Sequence, residues 1–165
     1  MGQSKNIEIE YDLIRLLLKY YGKILFGDNV DIKVEKIEGP DFILSTSLKK
    51  VGVEITRSLN ENDKTIFSHK IDFGPLYTNF EEIVSSQIIK SINKKIDKFE
   101  SYKKFDENIL LIDSESYSST NTELVTRLVF NFLRNTEFFY NKIILKLSNE
   151  LIIFEKDSVN KILLN

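Results

Sequence analysis

Two acids stand where the surrounding sequence is apolar. In the stretch GPDFILSTSLKKVGVEITR, from Gly39 to Arg57, Asp41 opens one strand-like run and Glu54 falls near the end of the next. Side chains alternate across a strand, so Gly52, Glu54 and Thr56 share one face, while Val51, Val53 and Ile55 take the other and form core. If DFILST and VGVEIT make a hairpin, Asp41 and Glu54 meet at one end. Two neighbouring carboxylates repel and raise each other's pKa. A hard divalent cation relieves that repulsion, and Mg²⁺ is typically held by one or two carboxylates together with substrate phosphates. Taken singly, each acid has a simpler role: Asp41 as a turn residue after Gly-Pro, and Glu54 as a solvated side chain on an exposed face.

Two helical residues carry the same anomaly. NIEIEYDLIRLLLKYYG repeats apolar residues at three- and four-residue steps through Ile7, Tyr11, Ile14, Leu18 and Tyr21. At about 100° per residue, Glu10 falls between Ile14 and Leu17 on the apolar arc, where a carboxylate is costly unless it is paired, binds a metal or reaches solvent at the edge. In TNFEEIVSSQIIKSINKKIDKF, Ile88, Ile92, Ile96 and Phe99 define the stripe. Lys95 lies on its flank, with Ser91 and Gln87 one and two turns before it. Lys95 either snorkels along its aliphatic stem or delivers a cation to the site of the acids.

The elements that must position these residues follow in order: the first helix, stopped at Gly22; three strands, VDIKVEKI, DFILST and VGVEIT; the second helix; the strand NILLID; a third helix, ELVTRLVFNFLRN; and two strands, KIILKL and LIIFEK, closing as a hairpin around residues 148–150. A polar excursion holding Gly74-Pro75 and His69, the single histidine, separates the third strand from the second helix. Continuous apolar character in NILLID implies burial on both faces, and a helical crossover into it implies a parallel pair. The fold class is therefore α/β, a central mixed sheet flanked by helices, in one domain spanning residues 1–165. In the third helix, Leu124, Leu128 and Phe132 fall inward by periodicity. That leaves some of Phe130, Phe138, Phe139 and Tyr140 either to complete the core or to form a homodimer face.

With 42% hydrophobic and 29% charged residues in 165, the composition is that of a globular domain able to bury a core. The absence of cysteine excludes a disulfide framework and a thiolate zinc site. Nothing resembles a signal peptide, and no run reaches the roughly 18–20 apolar residues that span a bilayer, so the expectation is a cytoplasmic protein without a membrane partner. A net charge of -2 and a pI of about 5.6 argue against bulk electrostatic coating of nucleic acid. They leave room for an enzyme that touches a phosphate backbone through a local patch and a metal ion.

Element order, the GPDF strand start and VGVEIT together resemble the PD-(D/E)XK nuclease-like superfamily, the restriction-endonuclease-like fold. The likeness covers residues 6–113. It implies that Asp41 and Glu54 hold a divalent metal, Mg²⁺ or Mn²⁺, with the backbone carbonyl of Ile55, and that Glu10 is the acid of the first helix. The superfamily's lysine position, two residues after the glutamate, holds Thr56 here. Some members take that lysine from the following helix instead, which points to Lys95. Gln87, Thr56 and Arg57 become candidate substrate contacts, as does Lys70. The implied activity is endonuclease-like phosphodiester hydrolysis, on DNA rather than RNA. The second reading, favoured by Thr56, is a nuclease fold without catalysis that serves as a binding, regulatory or immunity-type protein.

Overall fold

The structure, a computed structural model, describes residues 2–58, 80–114 and 121–165. Its elements are α1 (Gly2–Phe26), β1 (Lys33–Lys36), β2 (Phe42–Ser45), β3 (Lys50–Arg57), α2 (Phe80–Phe99), β4 (Glu107–Ser114), α3 (Thr122–Arg134), β5 (Lys142–Leu147), β6 (Glu150–Phe154) and β7 (Val159–Leu163). The strands form one seven-stranded sheet in sequential order, β1 to β7. The β3–β4 and β4–β5 pairs are parallel, joined through α2 and α3, and every other pair is antiparallel. The expected α/β architecture with a mixed central sheet is thus the observed one. Among the described residues no helix is long and apolar enough to cross a membrane.

The sheet separates two cores. On one face α1 brings Leu13, Ile14, Leu17, Tyr21 and Leu25 against Phe42, Leu44, Val53, Ile109, Leu111, Ile144 and Ile153. On the other, α2 and α3 cover Leu110, Ile112, Ile143, Leu145, Ile152 and Phe154. Strand β4 therefore feeds both cores by alternation, as its unbroken apolar run requires.

Three details depart from the sequence reading. The first helix does not stop at Gly22: it continues to Phe26, and the Gly27 N–H closes the last turn on Lys23 O at 2.8 Å. Leu25 continues the buried stripe one turn beyond Tyr21, and that packing outweighs the modest helix cost of one glycine. The C-terminal hairpin is a three-stranded meander. Strand β7 was missed because it is a short edge strand, half-buried or exposed, whose apolar residues Val159, Ile162 and Leu163 are interrupted by Asn160 and Lys161. In α3 the buried stripe is Val125, Val129 and Leu133, with Thr126, rather than Leu124, Leu128 and Phe132, which are only half-buried. Both stripes are apolar at helical spacing, so periodicity alone leaves the rotation open; Asn121 caps Leu124 N through its side chain at the start of the helix. Phe130, Phe132 and Phe138 pack partly into the core, Tyr140 is buried, and Phe139 remains exposed.

One buried acid fastens the N-terminal ends of the parallel strands. Glu107 of β4 accepts from Lys49 Nζ on Oε2 at 2.6 Å and from Lys142 Nζ on Oε1. Lys49 also donates to Leu25 O at 3.0 Å, tying in the last turn of α1. Burial pushes the Glu107 carboxyl upward, but the hydrogen bonds and charges of Lys142 and Lys49 outweigh it, and the net pKa lies below the usual carboxylate value. A depressed folded pKa contributes stability that is present above the unfolded value and is lost as pH falls through the folded one. Glu107→Gln is therefore expected to lower unfolding stability at pH 7 by roughly 1.5–3 kcal/mol, the scale of hydrogen bonds to a charged group. Urea denaturation at a series of acidic pH values should show the gap between variant and wild type closing as pH drops below the ordinary carboxylate range.

Candidate functional site

Asp41 and Glu54 meet because β2 begins one residue too late to pair with all of β3. The last aligned pair at this end is Phe42 with Val53, so Asp41 stands opposite Glu54 just outside the ladder. There Asp41 Oδ2 accepts the Ile55 N–H at 2.8 Å. A side-chain carboxylate thus completes the strand edge that β2 leaves open. Glu54 points toward the α2 and α3 face, aligned with Leu110, and is 3% exposed. A carboxylate this deep requires partners.

Helix α2 and the segment after it supply them. Lys95 Nζ donates to Glu54 Oε1, and the Tyr102 hydroxyl donates to the same oxygen at 3.0 Å. One turn before Lys95, Ser91 Oγ donates to Arg57 O at 3.1 Å, which aligns α2 along β3. The post-helical segment is laced back onto the β1–β2 connection: Tyr102 N–H bonds Phe99 O at 3.0 Å, and Lys103 N–H bonds Gly39 O at 3.1 Å. Gly39 has φ 55°, and a Cβ there would stand 2.9 Å from Tyr102 Cδ1, so glycine meets both a backbone and a space requirement. At Gly52, on the face of Glu54, a Cβ would lie 2.6 Å from Phe105 Cδ2; the missing side chain lets this segment lie flat on β3.

The electrostatics follow from this packing. Burial raises the Glu54 pKa, the hydrogen bond from Lys95 opposes it, and the charge of Asp41 raises it again. Asp41 and Glu54 thus interact across the gap between their strands. The Tyr102 phenol is pushed up to about 12, by burial and then by the charge of Glu54. It stays a protonated donor at neutral pH. Tyr140, whose hydroxyl reaches Lys95 O at 3.5 Å, is also shifted upward, by burial and then by Glu54, Tyr102 and Asp41. A raised carboxylate pKa means the folded state holds its proton more tightly than the unfolded chain. Glu54 therefore costs stability as pH rises above the usual carboxylate range, the opposite sign to Glu107.

The arrangement leaves oxygens available. Among the described residues, Asp41 Oδ1 and Glu54 Oε2 accept no hydrogen bond, since Asp41 uses Oδ2 for Ile55 and Glu54 uses Oε1 for both donors. No group of three or more His, Cys, Asp or Glu side chains is arranged to hold a metal among those residues. The donor set is two carboxylates, which suffices for Mg²⁺ when waters and substrate oxygens complete its shell.

The other sequence candidates make no side-chain hydrogen bond to Asp41, Glu54 or Lys95 among the described residues, and Ile55 meets the cluster through its N–H. Glu10 is held by Lys36 Nζ at 2.5 Å, and Lys36 in turn lies 4.6 Å above the Phe42 ring, toward the α1 side of the sheet. Thr56 is half-buried and aligned with Ile112. Arg57 is exposed, with Nε 3.8 Å from Asp113. Ile55 contributes its N–H to Asp41. Gln87 is half-buried on α2, without a hydrogen bond to Asp41, Glu54 or Lys95 among the described residues. His69 and Lys70 lie outside the described residues. Sequence reasoning missed Tyr102 and Tyr140. Tyr102 occurs in a polar connection, where no periodicity flags it; the one signal was Gly39, which makes room for a ring.

No protein-family model, curated protein or solved structure matches the chain.

Removing Lys95 strands a buried charge. Lys95→Met is expected to raise the Glu54 pKa further, measurable by ¹³C titration of the side-chain carboxyl. It should also lower stability at pH 7 by about 3 kcal/mol, the cost of breaking a buried pair from one side. Adding Glu54→Gln to Lys95→Met should recover most of that loss in chemical denaturation.

Proposed function

We propose that the chain hydrolyses phosphodiester bonds in nucleic acid, DNA in preference to RNA, with a divalent metal held by Asp41 and Glu54. The observation that carries this reading is the Lys95 ammonium, brought from α2 onto Glu54 beside Asp41. A positive charge at this point replaces the one that Thr56 cannot supply. Mg²⁺ or Mn²⁺ held there would supply Lewis-acid polarisation of a phosphoryl oxygen and a more acidic bound water. The remaining roles belong to the chain. Asp41, fixed through the Ile55 N–H, keeps Oδ1 free of hydrogen bonds among the described residues, and Lys95 and Tyr102 engage Oε1 of Glu54, so Oδ1 and Oε2 are the oxygens that would hold the metal. Lys95 stabilises the negative charge that develops on the phosphoryl oxygens as water attacks phosphorus and one P–O ester bond breaks. The products are a phosphate monoester end and a hydroxyl end.

The test is cleavage of single- and double-stranded DNA and RNA with Mg²⁺ or Mn²⁺. Glu54→Ala and Asp41→Ala should abolish turnover, and Lys95→Ala should slow it by about 10²–10³-fold, the scale of losing one charge-stabilising donor. Cleavage that persists in Glu54→Ala and Lys95→Ala would remove this site from the reaction. A wild type that binds but never cuts would instead support the binding-protein reading, to which Thr56 points.

A further inference from the structure

An open groove of about 640 Å³ is lined in part by Tyr140, a volume within the range of about 300–1,000 Å³ typical of ligand sites. Its lining comes from the α3–β5 connection and from Lys156 in the β6–β7 turn. Tyr140 joins it to the catalytic candidates: the ring lines the groove, and the hydroxyl reaches Lys95 O at 3.5 Å. Phe139, 49% exposed, lies nearly parallel to the buried Phe99 ring, with centroids 5.8 Å apart and planes 13° apart. Lys104 Nζ stands 4.0 Å over the Phe99 ring. Phe99 thus contacts a cation, Lys104, and a second ring, Phe139, which is itself half open to solvent.

The polar atoms of the groove are only partly engaged. Asn135 donates its amide nitrogen to Asn131 O and keeps its carbonyl oxygen free of hydrogen bonds among the described residues. Asn141 accepts from Asn108 N on its carbonyl oxygen and keeps its NH₂ group. One acceptor and one two-proton donor therefore line the groove with the exposed ring. The lining carries two cations, Arg134 and Lys156, against one acid, Glu137. A flat ring with both donor and acceptor edges, attached to an anion, matches all of these features together. An aliphatic or purely anionic ligand matches only some of them.

We propose that this groove binds an unpaired nucleobase of a single-stranded segment next to the scissile phosphate, stacked on Phe139, with its edge on Asn135 and Asn141 and its phosphate toward Arg134 or Lys156. The inference rests on the phosphodiesterase reading and narrows its substrate to nucleic acid with a single-stranded stretch. A base pair cannot stack on Phe139 and offer its Watson–Crick edge to the amides at once, so the groove discriminates against continuous duplex.

The test is fluorescence anisotropy with a labelled oligothymidylate of about twelve nucleotides, within the span that single-strand sites cover, in EDTA so that binding is read without cleavage. Phe139→Ala should weaken binding at least about fivefold, the low end for losing one stacked base, and Phe139→Trp should retain it. Thermal melting should be little changed in both, because the side chain is half exposed. A 5-bromodeoxyuridine probe should photocross-link to the peptide holding Phe139. Equal affinity in wild type and Phe139→Ala, adducts only elsewhere, or no oligonucleotide binding by the wild type would each overturn the proposal. The nuclease reading fails separately: binding sensitive to Phe139 in a protein that never cleaves sinks the hydrolysis and keeps the groove. Cleavage that depends on Glu54, with binding indifferent to Phe139, does the reverse.

Discussion

The arrangement around Asp41 hangs on one ionised side chain buried in the face of a sheet. Glu54 can sit where leucines and isoleucines sit in the neighbouring strands only because two donors converge on one of its oxygens. Each donor arrives from an element that must then be held in register. Helix α2 is aligned along β3 by Ser91 on the Arg57 carbonyl, and the segment carrying Tyr102 is tied to Gly39. That same connection places Asp41. The acid pair, the helix over it and the turn beside it therefore form one mechanical unit, and displacing any member leaves a buried charge unpaired.

Glu107 shows what a purely structural version of this arrangement looks like. It too is a buried glutamate on a parallel strand with two donors. Its donors are two lysines, one on each oxygen, so both oxygens are satisfied and the carboxyl is held below its usual range. Glu54 has one lysine and one neutral phenol on a single oxygen, with another acid nearby, and it is held above that range. Identical side chains at comparable depth thus differ in the sign of their effect on stability. The acid with unmet electrostatic demand is Glu54, the one that shares its surroundings with a second carboxylate.

Fold class was legible in the sequence because it rests on periodicity, and long stripes such as Ile88–Ile92–Ile96–Phe99 are hard to misread. What failed was finer. Gly22 misled because one glycine is a weak local signal against a continuing buried stripe. Two overlapping apolar stripes in α3 left its rotation ambiguous by one residue. Strand β7 was hard to see because Asn160 and Lys161 break its apolar residues into pieces too short to read as a strand. In the site, Asp41, Glu54 and Lys95 could be singled out because each violates the pattern of its own element. Tyr102 violates nothing, since an aromatic residue in a connection has no phase from which to deviate. Glu10 did violate its stripe, yet its partner is Lys36, a cross-element pairing that one helix's periodicity cannot reveal.

The late start of β2 has a consequence of its own. An open strand edge is ordinarily a place where another backbone can dock. Here the exposed donor of Ile55 is taken by the carboxylate that also faces Glu54. Whatever draws electron density from Asp41, a cation above all, weakens the bond that finishes the edge. The Ile55 amide proton would share the Asp41 carboxylate with any cation bound there, each on its own oxygen, so its exchange with solvent would respond to that cation.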